Sequence, residues 1–200
     1  MPLSKTIFRQ NCIKRFKNTS THDKFYRDSK VNAKLLQELK NIKHKKILFY
    51  IPMSQESNIT KTVNILRKKC DIYTPFMVEQ SFKMVPFRLP LKKKKFGIYE
   101  AGNTLRDIKK IDIAIVPVVG IDGNLQRIGF GKGMYDRFFA KLKKKPYIIF
   151  VQTKICYTKE SICDKYDISC DLLITPHLRV QNKEKNYVKR NTNRWCYCYS

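Results

Sequence analysis

Several short, mainly apolar runs constrain this chain more than any other feature: Ile47 to Ile51, Ile111 to Val119, Tyr147 to Val151 and Asp171 to Thr175. A strand with one wet face alternates apolar and polar side chains. A strand without that alternation is buried on both faces, as happens when helices cover both sides of a parallel sheet. Helical spacing fills the intervals. Leu35, Leu36, Leu39 and Ile42 precede the first run, and Thr60 to Lys69 follows it with Val63, Ile65 and Leu66 on its apolar positions. Ile72 to Pro75 reads as a further short strand, and Ser81 to Leu89 as an extended segment alternating at Phe82, Met84 and Phe87. The pattern predicts a three-layer α/β/α sandwich around a mostly parallel, doubly wound sheet. One domain over residues 1–176 is expected, with 177–200 as a basic peripheral tail that lacks an apolar period.

Composition narrows the classes. With 42% hydrophobic residues in 200, the chain can bury a full core, so disorder is excluded. No run of 18 apolar residues exists, and charge interrupts the N-terminus early, so a cytoplasmic protein without a membrane partner is expected. Seven cysteines, an odd number without metal or redox spacing, read as reduced and mostly buried; Cys196 and Cys198 stand too close together and too alone for a metal site. The three histidines, His22, His44 and His177, lie in polar surroundings and read as surface residues. A net charge of +26 raises the possibility of a nucleic-acid partner. The basic residues are scattered, however, with short runs only at Lys92 to Lys95 and Lys143 to Lys145, so nucleic acid is not expected as the primary partner.

The chemistry concentrates in Arg127-Ile-Gly-Phe-Gly-Lys-Gly-Met-Tyr-Asp-Arg137. Gly129, Gly131 and Gly133 free the backbone of β-carbons, so its N–H groups can surround an anion to which Arg127 and Lys132 add charge. The run follows a buried strand and leads into a helical pattern, Met134 to Phe139, whose N-terminus also favours anions. It matches neither the Walker loop nor the dinucleotide fingerprint. A glycine-rich turn without function is the alternative. Asp136 favours the phosphate site, because a carboxylate beside such a loop can share Mg²⁺ with phosphate oxygens.

With its surroundings, this loop resembles that of the 5-formyltetrahydrofolate cyclo-ligase family. The similarity runs over roughly residues 5 to 175. It includes Lys5-Thr-Ile-Phe-Arg9, similar to the family's basic N-terminal helix, and Ile51-Pro-Met-Ser-Gln-Glu56, similar to its strand-end segment with a folate-contacting Glu. Phe96-Gly97-Ile98-Tyr99-Glu100 precedes the loop, and Tyr166-Asp167-Ile-Ser-Cys-Asp171-Leu-Leu-Ile-Thr is similar to the family's closing strand.

The resemblance implies ATP- and Mg²⁺-dependent conversion of 5-formyltetrahydrofolate, with or without a polyglutamate tail, to 5,10-methenyltetrahydrofolate with release of ADP and phosphate. Lys5, Arg9 and the stretch Arg127, Ile128, Gly129, Phe130, Gly131, Lys132, Gly133, Met134 and Tyr135 would hold ATP. Asp136 and Asp167 would hold Mg²⁺. Ile51 and Glu56 would contact the pterin, with Phe130, Gly131, Lys132, Gly133 and Met134 facing the formyl group. Lys132, Arg127 and Tyr135 would act in catalysis. Each has a plainer reading: Lys5 and Arg9 as a solvated helix face, Glu56 as support for the next helix's dipole, Asp167 as a turn cap. Met134 departs from the family's usual Tyr, and Ile121 stands where Phe is common. Another ATP-dependent enzyme with the same loop, or a nonenzymic basic RNA-associated protein, remains the alternative reading.

Overall fold

A computed structural model describes residues 3–17, 20–93, 99–105 and 108–182. Of the segments singled out above, Lys94 to Ile98, Cys196 and Cys198 therefore lie outside the described residues, as does the tail from residue 183.

The apolar runs assemble as one seven-stranded sheet. In chain order the elements that matter are α1 (Lys5–Lys17), α2 (Thr21–Glu38), β1 (Lys46–Leu48), α3 (Thr60–Leu66), β2 (Asp71–Val78) and β3 (Ser81–Pro86). They continue as β4 (Lys92–Lys93), β5 (Tyr99–Glu100), β6 (Ile113–Pro117), β7 (Gly120–Ile121), β8 (Arg127–Ile128), α4 (Met134–Ala140), β9 (Tyr147–Val151), β10 (Leu172–Ile174) and β11 (Arg179–Gln181). The sheet order is β11-β10-β9-β6-β1-β2-β3. All pairings from β10 through β9, β6 and β1 to β2 are parallel, while β3 and β11 close the edges antiparallel.

Successive residues on each strand go to opposite faces, which sorts the core into two layers. Ile47, Ile113, Ile115, Ile149, Val151, Leu172 and Ile174 pack with Val31 and Leu35 of α2 and Val63 and Leu66 of α3. Their neighbours Leu48, Ala114, Val116, Ile148, Phe150 and Leu173 pack with Phe138 and Phe139 of α4. The three-layer, mostly parallel sandwich read from the sequence is the fold.

The differences have local causes. Strand β2 runs to Val78 rather than stopping near Pro75, because Glu79-Gln80 turns it straight back into β3; Glu79 takes φ +49° in that two-residue connection. Arg179–Gln181 extend the sheet as its antiparallel edge, so ordered structure continues past residue 176 despite the absence of an apolar period. An edge strand with one neighbour needs little apolar surface. The expectation that the cysteines are all reduced is corrected: Cys12 and Cys156, 144 residues apart, form a disulfide. Packing of α1 on the β7–β8 hairpin brings the two together, a tertiary contact that spacing cannot reveal. Cys70 and Cys170 are buried, as read. His22, His44 and His177 are exposed.

Chain direction across the sheet reverses between β1 and β6: from β1 the chain proceeds to β2 on one side, then returns to β6 on the other. At such a switch point the loops leaving the two carboxyl ends diverge and open a crevice. Here those loops are residues 49–59 after β1 and the connection from β6 through the β7–β8 hairpin to the glycine run.

Candidate active site

Two cavities open at this crevice, and the glycine run is the wall between them. The first, about 370 Å³, is lined by Tyr50, Ile51 and Met53 to Glu56 from the loop after β1 and by Met77 and Phe82 of the β2–β3 hairpin. Tyr99 and Glu100 of β5 and Phe130, Lys132, Gly133, Met134 and Tyr135 also line it. The second, about 460 Å³, is lined by Lys5 and Arg9 of α1, by Gly129, Gly131 and Gly133, by Asp136 and Arg137 of α4, and by Asp164 and Asp167. Arg127 and Gly133 border both.

The backbone of the run explains its glycines. Gly131 has φ +98°, and Gly133, the N-cap of α4, has φ +57°, both in the left-handed region. At Gly129 the constraint is space: a Cβ there would stand 2.4 Å from Arg127 Nη1. The buried Arg127 side chain is fixed from three sides. Its Nε donates to Pro117 O at 3.2 Å, Nη1 lies 3.4 Å from Asp136 Oδ2, and the guanidinium sits 4.8 Å from the centroid of the Tyr135 ring. Asp136 is 9% exposed, and its other oxygen accepts from Ile168 N at 3.2 Å.

Helix α1 closes the second cavity. Arg9 Nε donates to Gly129 O at 2.8 Å, and Lys5 Nζ donates to Asp167 Oδ2 and, at 3.2 Å, to Asp164 Oδ2. Burial disfavours the Lys5 ammonium, but its hydrogen bonds to Asp167 and Asp164 outweigh this and raise its pKa. The Tyr166 hydroxyl donates to Asp164 Oδ2 at 2.9 Å and, ahead of Lys5, holds that carboxyl below its ordinary range.

Glu56, 8% exposed, is one of two buried carboxyls in the first cavity, beside Glu100 of β5 at 5%. Burial pushes the Glu56 pKa up to about 7 against the opposing influence of the Met53 N–H, which donates to Oε2 at 2.9 Å, and of Arg127 and Lys24. Burial likewise raises the Tyr135 phenol, helped by Glu56, so it stays protonated at neutral pH and can serve as a hydrogen-bond donor.

The residues singled out from the sequence divide between the two spaces. Ile51, Glu56, Phe130, Lys132, Gly133, Met134 and Tyr135 line the first; Lys5, Arg9, Gly129, Gly131, Gly133, Asp136 and Asp167 line the second. Gly131 thus borders the basic cavity rather than the apolar one, and Lys132 the reverse. Ile128 borders neither; it is fully buried with Phe8 and Cys12 under α1. Sequence reasoning missed Arg137, Asp164 and the hairpin residues Met77 and Phe82. Asp164, three residues before Asp167 in a polar turn, carried a usable signal; Met77 and Phe82 are apolar strand residues whose type does not separate cavity lining from core.

The second cavity combines four cations, Lys5, Arg9, Arg127 and Arg137, with three carboxylates, Asp136, Asp164 and Asp167. The cations suit a polyphosphate; no group of three or more carboxylate, His or Cys side chains converges as a metal cluster among the described residues, so a divalent cation here would also draw on phosphate oxygens. Asp136 and Asp167 are each paired with a cation, and Asp167 Oδ1 stays open among the described residues.

The chain is similar to known proteins in sequence and in fold. The 5-formyltetrahydrofolate cyclo-ligase family model matches residues 3–176. A 5-formyltetrahydrofolate cyclo-ligase of Mycoplasma pneumoniae is 26% identical over 177 residues, covering 86% of this chain and 98% of the relative. In fold, the chain is similar to a 5,10-methenyltetrahydrofolate synthetase of Aquifex aeolicus, with TM-score 0.76, 24% identity and coverage of 95% of this chain and 96% of the other. It is also similar to a 5,10-methenyltetrahydrofolate synthetase of Mycoplasma pneumoniae, with TM-score 0.67, 22% identity and coverage of 88% and 100%. The chain belongs to the 5-formyltetrahydrofolate cyclo-ligase family of ligase enzymes.

Proposed function

We propose that the protein converts 5-formyltetrahydrofolate and ATP into 5,10-methenyltetrahydrofolate, ADP and phosphate, with Mg²⁺. The observation that carries this reading is the shared wall: an apolar cavity with the buried carboxyls Glu56 and Glu100 and a basic cavity with three carboxylates meet at Arg127 and Gly133. A phosphoryl group held on one side can reach an acyl oxygen held on the other.

The chemistry needs that contact. An N-formyl group is a weak electrophile because its nitrogen donates into the carbonyl. When the formyl oxygen attacks the γ-phosphorus, ADP leaves and the carbon becomes an iminium phosphate. The substrate's N10 then attacks the carbon and loses its proton, and cleavage of the C–O bond releases phosphate. No enzymic nucleophile is required; positioning and neutralisation of charge do the work.

Each side chain has a part in this reading. Ionised Glu56 accepts two hydrogen bonds from the pterin's donor edge, and Ile51 and Met134 pack on the ring. Lys5, Arg9, Arg127 and the backbone of Gly129 to Gly133 bind the triphosphate, while Lys132 and the protonated Tyr135 stand on the folate side to neutralise charge on the formyl oxygen. Asp136 and Asp167 would hold Mg²⁺, which supplies further neutralisation of phosphate charge.

Purified protein incubated with 5-formyltetrahydrofolate, ATP and Mg²⁺ tests the reading through the near-ultraviolet absorbance of the methenyl product. Growth that requires both nucleotide and protein is expected. No growth while nucleotide binding is intact would move the function to another acid substrate of the same loop.

A further inference from the structure

Three consecutive backbone carbonyls in the loop that carries Glu56 are each held by a side chain from elsewhere. Lys24 Nζ donates to Glu56 O at 3.0 Å, the Tyr50 hydroxyl to Ser57 O at 2.8 Å, and Asn32 Nδ2 to Asn58 O at 2.7 Å. Lys24 and Asn32 belong to α2, where Lys24, Asp28 and Asn32 lie four apart and so share one face. They are linked along it. Asp28 Oδ2 accepts from Lys24 at 2.8 Å, Asn32 Nδ2 also donates to Asp28 O at 2.7 Å, and Asn32 Oδ1 accepts from Thr62 N at 3.0 Å and Thr62 Oγ1 at 2.7 Å.

This polar stripe is not the arrangement that would best stabilise α2 against its neighbours. Asp28 Oδ1 is buried without a hydrogen-bond partner among the described residues, and an unserved buried carboxylate oxygen is costly. The stripe has its effect at Glu56. The cations that act on that carboxyl are Arg127 of β8 and Lys24 of α2; Met53 N donates to it, and the Tyr50 and Tyr135 phenols interact with it. Asp28 lies behind Lys24 as its counter-charge. Arg127 is committed to Pro117 O, Asp136 and Tyr135, which leaves Lys24 as the cation bonded directly to the Glu56 segment.

We propose that Lys24, balanced by Asp28, is a positioning residue for folate recognition: it fixes the backbone of Glu56 and favours the ionised carboxylate that accepts the pterin's donors. The inference rests on the reading of Glu56 as the folate contact. Lys24 touches neither folate nor nucleotide in this role, since it lines neither cavity. Its action is therefore confined to one ligand and to one titration.

The test compares wild type with Lys24→Met, which keeps the aliphatic stem, Lys24→Arg, which restores the charge, and Asp28→Asn. Calorimetric affinities for 5-formyltetrahydrofolate between pH 5.5 and 8.5 are measured beside ATP affinity. Lys24→Met is expected to weaken folate binding by about tenfold, the scale of a hydrogen bond from a charged group, and to move the midpoint of its pH profile to higher pH, with ATP affinity within about twofold. Lys24→Arg should restore both folate quantities. Asp28→Asn removes the opposing negative charge and should move the midpoint the other way, which remains readable if Lys24→Met does not fold. A simple staple between α2 and the loop would lower affinity without moving either midpoint, and that result overturns the assignment. So does wild-type affinity in Lys24→Met. Wild-type protein that binds no folate overturns the proposed function, and this assignment with it.

Discussion

Replacing Glu56 by Gln separates stability from function at a single atom pair. The carboxyl titrates at about 7 in the folded protein rather than at its ordinary 4.5, because it is buried. Between those values the folded state holds a proton that the unfolded state has released, so the wild type loses stability as pH rises from about 4.5 to 7 and stays at the lower level above it. At 1.36 kcal/mol for each pH unit, ionisation at pH 8 costs the fold about 3 kcal/mol relative to a neutral side chain of the same shape. The amide introduced by Glu56→Gln would keep an acceptor for Met53 N and carry no charge. Denaturant titrations at pH 5 and pH 8 should therefore show the variant gaining about 2–3 kcal/mol on the wild type between the two. Its affinity for 5-formyltetrahydrofolate should fall at least tenfold at pH 8, since one of two charged acceptors is gone, while ATP affinity stays within about twofold. Wild-type folate affinity should itself weaken as pH drops through 7. A stability difference that is flat with pH, or full folate affinity in the variant, would refute the reasoning.

Lys132→Ala should lower kcat by ~10² to 10³ at saturating ATP with unchanged melting, the scale of one lost contact to developing charge; steady-state kinetics and a thermal melt check this. Asp136→Asn should raise the Mg²⁺ concentration needed for half-maximal rate while leaving metal-free folate binding intact; an unchanged Mg²⁺ titration would confine Asp136 to its partnership with Arg127 and Ile168. Gly129→Ala places a carbon where the Arg127 guanidinium lies, so it should destabilise the protein by ~1–3 kcal/mol and weaken both ligands together, read by denaturation and calorimetry.

What was legible in the sequence follows from the range of the interactions. Runs such as Ile113–Pro117 and Tyr147–Val151 are buried on both faces whatever packs on them, so composition alone reveals both the strands and the parallel sheet. The glycine run is equally local, because positive φ at Gly131 and Gly133 and the crowding of Gly129 by Arg127, two residues away, are properties of adjacent residues. The second cavity joins Lys5 to Asp167 across 162 positions, a pairing that no local pattern shows; the family resemblance gave the two separate roles, on phosphate and on metal. Cys12 to Cys156 has the same character and had no such help. Nothing in the sequence sets Lys24 apart from the other lysines; its contact with Glu56 O depends on α2 lying against that loop, which helical periodicity does not specify.

The central claim is that a phosphoryl group from the basic cavity lands on an oxygen presented from the apolar one. Carrying 5-formyltetrahydrofolate labelled with ¹⁸O in the formyl group through one turnover with ATP in unlabelled water tests it directly. The account predicts one labelled oxygen in the phosphate released and none in ADP. Unlabelled phosphate, with the label lost to water, would mean that ATP is hydrolysed without touching the formyl oxygen and would contradict it.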